Sequence, residues 1–561
     1  MNILTASFRY IEDILNENCG VKALITDAET LTTLSLSMTR TELFSHDVIN
    51  TEELSEVCSR PVNPIVSALK CVCILRPSKE NFDLLSNELS NSPHFSRYSM
   101  YFTNALLEPE IRRLAQSDKF GLVDHIEEIY IDFYPLNKRL FSLNYPSITE
   151  LRVSLSADLL LNRITDGVFA SLCALQLTPT IRYANSSPLC KLFAKSIFER
   201  INRSRFTPQS GEQTLLLILD RISDPLTPLL HPWFYSGTIH DLFGIKNNLV
   251  NLPLVNEPIV YDERHDTFIQ EYGTSFLADV GPAVAQRMTQ AKQLSQSAKQ
   301  EIKTPDQIAS VVNAASQFQE QFSVAGNHVR IFEAINATVN SSSLINIGEI
   351  EQALAISDDM IVHYNEIIKV CDSIQPSMDD ILRLLLIYCL RYEGRGNEQI
   401  SSLKSKFPSC VPIMDAALKV AGKAKRKGDD KFRDDDDEID IFGNSKRKIT
   451  QIFTDIKALC IDEQSQVLDQ HKCILSSILE KIKRGQLSTE SYPYMGINNS
   501  NVYSYNDAFR PKKIVVFYMG GTTYYEMRTA AQITDMDVIV GGTTVHNATS
   551  FVQNEIKPFC K

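Results

Sequence analysis

The sequence has few features that would mark a membrane-spanning, nucleic-acid-binding or metal-binding protein. No apolar run in its 561 residues approaches the ~18–20 residues that a helix needs to cross a bilayer. The formal net charge is −12, whereas nucleic-acid-binding proteins usually carry a basic surplus. The ten histidines and twelve cysteines are scattered, with no His-x-x-x-His or Cys-x-x-Cys pair. We therefore expect no membrane span, no nucleic-acid partner and no metal site.

The first twenty residues hold acidic side chains and lack the apolar core of a signal peptide. We therefore expect a cytoplasmic protein whose thiols stay reduced. The closely spaced pair Cys71 and Cys73 lies in a strand-like run, which favours free buried thiols over a disulfide or zinc ligands. The apolar fraction of 43% and the charged fraction of 22% are typical of globular proteins.

Residues 1 to about 135 alternate strand and helix patterns, which predicts a layered α/β structure with parallel strands. The predicted strands are Ala23–Asp27, Leu31–Met38, Lys70–Leu75, Ser99–Asn104 and Glu128–Phe133. The predicted helices are Phe8–Leu15, Asn81–Leu89 and Glu108–Ala115. A second α/β unit is expected to follow.

A run of five apolar residues, Leu215–Leu219, predicts a strand that is buried on both faces. Asp220, Arg221 and Asp224 follow at its carboxyl end, where ligands usually bind in open α/β sheets. One interpretation is an enzyme that acts on a phosphorylated or acyl substrate through Asp220 or Asp224. The favoured interpretation is a hydrogen-bonded structural corner, because no nucleophile or base accompanies these carboxylates. We therefore expect no catalytic residues.

Two more apolar runs, Ile514–Met519 and Asp537–Val540, each precede the tetrapeptide Gly-Gly-Thr-Thr near the C-terminus. A tail of about fifty residues cannot bury two such strands alone. They are predicted to pair with Leu215–Leu219, which makes the chain between them an insertion. The glycine turns match neither dinucleotide-binding nor P-loop spacing, so threonine helix caps are favoured over an anion site and no cofactor is expected.

Residues 246 to about 485 have a largely helical pattern. Val284–Ala298 carries a sparse apolar stripe, and Lys303-Thr304-Pro305 separates it from a helix with a heptad seam. The seam consists of Ile308, Val311, Ala315, Phe318, Phe322, Ala325, Val329 and Phe332. This helical hairpin either packs only on its own domain or offers a platform for partner helices.

Two further segments of this region differ in character. Ile381–Tyr392 is apolar nearly all round and predicts a buried core helix that begins with a cap at Ser377. Residues 423–448 hold nine basic and eight acidic residues in blocks, which predicts a solvated surface linker.

Several of these stretches closely resemble the SM (Sec/Munc) family of regulators of SNARE-mediated membrane fusion. Its signature reads Asp-Arg, Asp-Pro, Thr-Pro-Leu-Leu, Trp, then His, an acidic residue, Leu and Gly-Ile. The matching residues are Asp220, Arg221, Asp224, Pro225, Thr227–Leu230, Trp233, His240, Asp241, Leu242 and Gly244-Ile245. YPYMG, GGTTYYE and VGGTTVHNATSF near the C-terminus also match, and the first domain resembles the endosomal and vacuolar-sorting branch.

The resemblance implies an α/β, arch-shaped fold of three domains. Two domains hold parallel sheets, and a large, mostly helical domain is inserted into the second. The implied boundaries are 1–135 for domain 1, 136–245 with 486–561 for domain 2, and 246–485 for domain 3. Domain 3 would contain the hairpin at about 284–332 and the charged loop 423–448.

The resemblance also implies a non-enzymatic protein that clasps a syntaxin-type Qa-SNARE and promotes SNARE complex assembly. It would regulate vesicle docking and fusion in endosomal, trans-Golgi and vacuolar trafficking. The implied partners are the Qa-SNARE and the assembled SNARE complex, and a Rab effector or tether stays open as a third. The protein would associate with Golgi and endosomal membranes peripherally, through SNAREs.

Residue positions carry over from the resemblance in two places. Ile111 and Leu114 would present apolar surface, and Glu128 a polar rim, in a groove of domain 1 for a SNARE N-terminal peptide. The alternative is that Ile111 and Leu114 are ordinary core residues. The hairpin residues expected to engage SNARE helices are Ile308, Val311, Ala315, Phe318 and Phe322. Asp220, Arg221, Asp224, Pro225 and Trp233 would form the structural signature.

Overall fold

The computed structural model of this chain describes residues 1–63, 66–91, 93–155, 157–204, 213–253, 255–297, 305–427, 441–442, 467–496 and 509–560, with the backbone alone for 66, 294–297, 305–321 and 427. The chain divides into two compact units. The first comprises Met1–Arg221, Lys481–Thr522 and Ala530–Val545, and the second Ile222–Glu480, Thr523–Thr529 and His546–Lys561. The division into three domains stays a prediction.

The first unit contains, within its described residues, a sheet of five parallel strands in the order β2-β1-β3-β4-β5. The strands are β1 Lys22–Thr26, β2 Val48–Glu53, β3 Lys70–Leu75, β4 Arg97–Phe102 and β5 Val123–Glu128. The helices between and around them are α1 Ile3–Glu17, α2 Ala28–Ser37, α3 Arg40–Ser45, α4 Leu54–Ser59, α5 Lys79–Ser90 and α6 Glu108–Ser117. The predicted parallel α/β structure of this region is therefore confirmed.

Two predicted strands of this region are wrong. Leu31–Met38 lies largely in α2, because the Asp27 side chain accepts a hydrogen bond from the Thr30 N–H at 2.8 Å and starts a helix there. The predicted strand Glu128–Phe133 begins where β5 ends. Ile129, Ile131 and Phe133 of that run are buried just after the strand, where only Ile129 still bonds to β4, whereas β5 is an exposed edge strand with few apolar residues.

The remaining strands are β6 Tyr134–Asn137, β7 Leu140–Ser142, β8 Thr180–Tyr183, β9 Thr214–Asp220, β10 Leu249–Val250, β11 Ile259–Val260, β12 Lys513–Met519 and β13 Asp537–Gly542. Six of those described form the second sheet of the first unit, in the order β6-β7-β13-β12-β9-β8. All its neighbouring strands are parallel except β6 and β7. The first unit also contains α7 Thr149–Val153, α8 Asp158–Ala174 and α9 Pro188–Arg203.

The C-terminal strands complete this second sheet. β12 lies between β9 and β13, and its register with β9 runs from the pair Thr214 and Lys513 to the pair Asp220 and Met519. Every residue of β9 and β12 is buried. The predicted pairing of the tail strands with Leu215–Leu219 is therefore confirmed.

Gly541 on β13 makes room for two aromatic rings of the neighbouring strands. It pairs with Phe517 on one side and with Phe141 on the other, and the two ring centres are 6.2 Å apart. A Cβ atom built on Gly541 would lie 2.1 Å from the ring of Phe141. Only glycine therefore allows this ring to lie over the β13 backbone.

The second unit is largely helical. The helices after residue 221 are α10 Tyr235–Leu242, α11 Thr267–Tyr272, α12 Leu277–Ser297, α13 Pro305–Ser341, α14 Leu344–Ile356, α15 Met360–Ser373, α16 Met378–Tyr392, α17 Asn397–Lys406, α18 Val411–Ala421, α19 Lys423–Lys427, α20 Ile474–Arg484, α21 Tyr524–Gln532 and α22 Ala548–Phe551. The predicted core helix is α16, which begins with the Ser377 hydroxyl accepting the Asp380 N–H at 3.2 Å. Most of its residues are buried, as predicted.

The charged segment 423–448 is only partly described. Ile441 and Phe442 lie in the hydrophobic core of the second unit, and the Arg391 guanidinium carbon lies 4.7 Å from the centre of the Phe442 ring. The prediction of a wholly solvated linker is therefore wrong at these two residues. Residues 428–440 and 443–448 lie outside the described residues.

Replacing Gly541 with alanine should destabilise the second sheet. The added methyl group would overlap the Phe141 ring, and overpacking of this kind typically costs ~1–3 kcal/mol. Differential scanning calorimetry should show a melting temperature lowered by several degrees. The matched control is Gly326→Ala on α13, where a Cβ meets nothing within 4 Å and should not lower stability. A Gly541→Ala protein that melts like the wild type would contradict the packing.

Candidate functional site

The carboxyl end of β9 carries the charged residues that suggested a ligand site. Asp220 is buried, and its Oδ1 lies 2.9 Å from Arg152 Nη2. The Ser187 hydroxyl donates to Asp220 Oδ2 at 2.7 Å. Arg221 is fully buried, with its guanidinium carbon 4.9 Å from the centre of the Tyr518 ring. These contacts fix α7, the start of α9 and β12 around the end of β9.

The second carboxylate shapes the turn that follows. Asp224 accepts hydrogen bonds from the Thr227 backbone N–H at 3.0 Å and from the Thr227 hydroxyl at 2.6 Å. Asp224 and Pro225 are both buried. Trp233 packs so closely on Gly348 that a Cβ there would lie 2.6 Å from the indole ring. These contacts support the structural interpretation of the signature, and the enzyme alternative at Asp220 and Asp224 gains no support.

The glycine turns after β12 and β13 differ from each other. Gly520 and Gly521 adopt φ angles of +86° and +90°, which glycine reaches without strain. Beyond them, the Glu526 carboxylate accepts the Thr523 N–H at 2.8 Å, so the chain's own side chains occupy the start of α21. After β13 the helix cap is Asn547. The Thr523 hydroxyl accepts the Tyr525 N–H at 3.1 Å, so the predicted threonine cap is present in the first turn and wrong in the second.

Ion pairs occupy the crevice of the first sheet where small ligands commonly bind. In the strand order β2-β1-β3-β4-β5 that crevice lies at the carboxyl ends of β1 and β3. Arg163 Nη1 lies 2.6 Å from Asp132 Oδ2, and Arg76 Nη1 lies 2.6 Å from Glu29 Oε2. Each guanidinium is thus paired with a carboxylate of the chain itself, so these two arginines already have protein partners.

A cluster of buried charges surrounds His231 in the second unit. Glu351 Oε1 lies 2.8 Å from His231 Nδ1, and Asp380 Oδ1 lies 3.5 Å from Nε2. Arg383 pairs with Asp241 at 2.9 Å. Burial and Arg383 lower the pKa of His231, but the Glu351 and Asp380 carboxylates outweigh them and raise it to about 9. The protonated His231 lies in the segment that precedes α10. It therefore connects that segment both with α14 and with α16.

The sequence reasoning missed this cluster. The sequence assigns no role to His231, and Glu351 lies 120 positions farther along the chain. Glu351, Asp380 and Arg383 sit inside apolar helices, where a buried charge requires a partner. That requirement is the one signal in the sequence that could have indicated the cluster.

The His231 cluster predicts that stability depends on pH. The folded pKa of about 9 exceeds the ordinary value of 6.5, so this contribution is complete below pH ~6.5 and is lost as the pH rises through 9. We expect the melting temperature to fall over that range and His231→Gln to reduce the fall. The control is His265→Gln, which alters an exposed histidine of the same unit and should keep the wild-type slope. Equal slopes for all three proteins would contradict this expectation.

The residues predicted to bind a SNARE peptide lie in different environments. Ile111 on α6 is 40% exposed, but Leu114 is 1% exposed and lies in the core between α6 and the first sheet. The expectation that Leu114 presents apolar surface is therefore wrong, because α6 needs this side chain to cover the sheet. Glu128 is exposed at the end of the edge strand, and its Oε1 accepts the Leu106 N–H at 2.8 Å.

The predicted hairpin is formed by α12 and α13. The side chains of Ile308, Val311, Ala315 and Phe318, and the predicted break at Lys303-Thr304, lie outside the described residues. Phe322 is 42% exposed. Nearer the base, Ala325 is 6% exposed and Phe332 packs on the core of the second unit, where a Cβ on Gly281 of α12 would lie 2.8 Å from the Phe332 ring. The lower end of the heptad seam therefore packs on its own unit.

In the described part of the chain, no helix is long and apolar enough to cross a membrane. The chain is similar to the vacuolar protein sorting-associated protein 45 of Dictyostelium discoideum, with 29% identity over 99% of this chain and 96% of that protein.

Two solved structures share the fold of this chain. The SM protein Vps45 in complex with the Qa SNARE Tlg2 superposes with a TM-score of 0.81 and 23% identity, over 99% of this chain and 97% of that one. Sly1p in complex with an N-terminal peptide of Sed5p superposes with a TM-score of 0.76 and 19% identity, over 98% and 93%. The family model described as Sec1 matches residues 22–554. Because this match covers most of the sequence, the chain belongs to the Sec1 family.

Proposed function

We propose that this protein binds a syntaxin-type Qa-SNARE and regulates vesicle docking and fusion in endosomal, trans-Golgi or vacuolar trafficking. The observation that carries the proposal is the alignment of the Dictyostelium vacuolar protein sorting-associated protein 45 over 99% of this chain and 96% of its own length. This chain therefore has counterparts for nearly all of that protein. The complexes of Vps45 with the Qa SNARE Tlg2 and of Sly1p with a Sed5p peptide support the class of partner.

The proposal includes promotion of SNARE complex assembly, with the assembled complex as a second partner and a Rab effector or tether as a third class. The protein would act in the cytoplasm and reach Golgi and endosomal membranes through its SNAREs.

The first contact that we propose is a peptide surface formed by Ile111, Ala115, Val123 and Ile126. Ile111 and Ala115 are exposed on α6, and Val123 and Ile126 are half-buried on β5. β5 is the edge strand of the first sheet, so none of the described strands pairs with its outer side. Apolar side chains beside an open strand edge suit a short peptide that buries its own apolar residues. Glu128 would supply a polar contact at the rim.

The second contact that we propose is the outer part of the α12–α13 hairpin. α13 has 37 residues, which corresponds to ~55 Å of helix. Ile308, Val311, Ala315, Phe318 and Phe322 would present the heptad seam to SNARE helices. The exposure of Phe322, the burial of Ala325 and the packing of Phe332 against the core support a fixed base with an apolar outer part.

Ile111→Arg should weaken binding of a SNARE N-terminal peptide without unfolding the protein. Position 111 is exposed, so arginine is tolerated, but the charge removes an apolar contact of the peptide surface. We expect calorimetric titration to show at least a tenfold loss of affinity, which is ~1.4 kcal/mol. Leu114→Arg should instead lower the melting temperature strongly, because it buries a charge in the core.

The matched control is Phe44→Arg. Phe44 is also an exposed apolar residue of the first unit, but it lies on α3, and β2, the strand after α3, is the opposite edge of the sheet. This variant should bind the peptide like the wild type. An Ile111→Arg protein that keeps both its fold and its peptide affinity would move the site elsewhere.

A further inference from the structure

A chain of three polar side chains, two buried and one partly buried, joins the base of the hairpin to the rest of the second unit. His328 on α13 is 3% exposed. Its Nδ1 lies 2.8 Å from the Tyr235 hydroxyl, and its Nε2 lies 2.8 Å from Asp266 Oδ2. Tyr235 is the first residue of α10, and Asp266 is the N-cap of α11. One side chain of the long helix is therefore bonded to two other elements.

The directions of these hydrogen bonds follow from the groups involved. Burial raises the pKa of Tyr235 well above its ordinary value, so its hydroxyl stays protonated and can donate to the unprotonated Nδ1 of a neutral imidazole ring. Asp266 accepts the Phe268 and Ile269 N–H groups on Oδ1, at 2.9 and 3.3 Å, and its Oδ2 accepts the Nε2–H. A single neutral tautomer of His328 therefore satisfies both partners.

Besides an exposed pair between Arg287 of α12 and Glu271 of α11, at 3.3 Å, the described contacts at the hairpin base are mainly apolar packing, which constrains direction less strictly. The Phe332 ring lies against Gly281 of α12, and Ala325 lies in the core. Apolar contact is non-directional and permits small rotations, whereas hydrogen bonds weaken steeply when their angles change. The bonds of His328 are therefore the described contacts best suited to fix the direction in which α13 leaves the core.

We propose that His328 is a positioning residue that sets the direction of α13 and thereby presents the outer hairpin to a helical partner. α13 begins at Pro305, 23 residues before His328, which corresponds to ~35 Å of helix. At that distance a tilt of about 5° at His328 displaces the end of the helix by ~3 Å. A shift of this size is enough to misplace side chains that must pack against partner helices. The binding part of this inference rests on the proposed function.

The test compares two buried tyrosines in the full-length protein. Tyr235→Phe removes the hydroxyl that His328 accepts from. Tyr261→Phe removes a similarly buried hydroxyl, which lies 2.7 Å from Ser236 Oγ and makes no hydrogen bond to the described side chains of α13. The measurements are amide hydrogen exchange in α12 and α13, affinity for an assembled SNARE helical bundle, and affinity for a SNARE N-terminal peptide.

We expect Tyr235→Phe to speed exchange at the base of α13 and to weaken bundle binding, each by about fivefold or more, through loosened local structure. Peptide affinity should stay unchanged, because the peptide surface belongs to the first unit. Tyr261→Phe should leave all three measurements unchanged. Equal effects of the two variants, or none from Tyr235→Phe, would overturn the proposal.

Substitution of His328 itself provides the second comparison. His328→Gln offers an amide oxygen to Tyr235 and an amide N–H to Asp266, whereas His328→Phe fills the space and can make neither bond. We expect glutamine to keep slow exchange and bundle affinity, and phenylalanine to lose both. Indistinguishable variants would refute the positioning role. If the wild type binds no SNARE bundle, the proposed hairpin function fails, and the exchange comparison alone decides the role of His328.

Discussion

The parallel pairing of β9 with β12 is the interaction on which the second sheet depends. It joins residues about 300 positions apart, yet loop-closure entropy grows only by ~0.6 kcal/mol for each doubling of loop length. The two strands are fully buried, so the apolar area that they remove from water can offset this cost. The long insertion is therefore compatible with a stable sheet, and the C-terminal strands are an integral part of the first unit.

The charges at the end of β9 serve the structure that this pairing creates. Asp220 is held by Arg152 and Ser187, and Arg221 lies against a ring of β12. A second group of buried charges surrounds His231 in the second unit. Both groups of charges are buried and engaged with other parts of the chain. This pattern suits a protein that acts by presenting surfaces, such as the outer hairpin and the peptide surface, to other proteins.

The sequence was informative wherever a run was apolar on both faces, as in Lys70–Leu75 and Leu215–Leu219, which are strands in the structure. It misled where a local cap decided the outcome, since Leu31–Met38 reads as a strand but is largely helical. It also could not separate an apolar groove from an apolar core at Leu114, because both give the same helical spacing. Contacts such as those of His231 depend on the tertiary fold, and no local pattern reports them.

We propose that this chain recognises a Qa-SNARE of the endosomal or Golgi system. The most direct test is calorimetric titration of the full-length protein with the cytosolic regions of Qa-SNAREs from endosomal, Golgi and plasma membranes. We expect one-to-one binding to an endosomal or Golgi Qa-SNARE with a Kd below ~1 μM. Binding to the plasma-membrane Qa-SNAREs should be at least tenfold weaker. No binding to any of them by a cooperatively melting protein would contradict it.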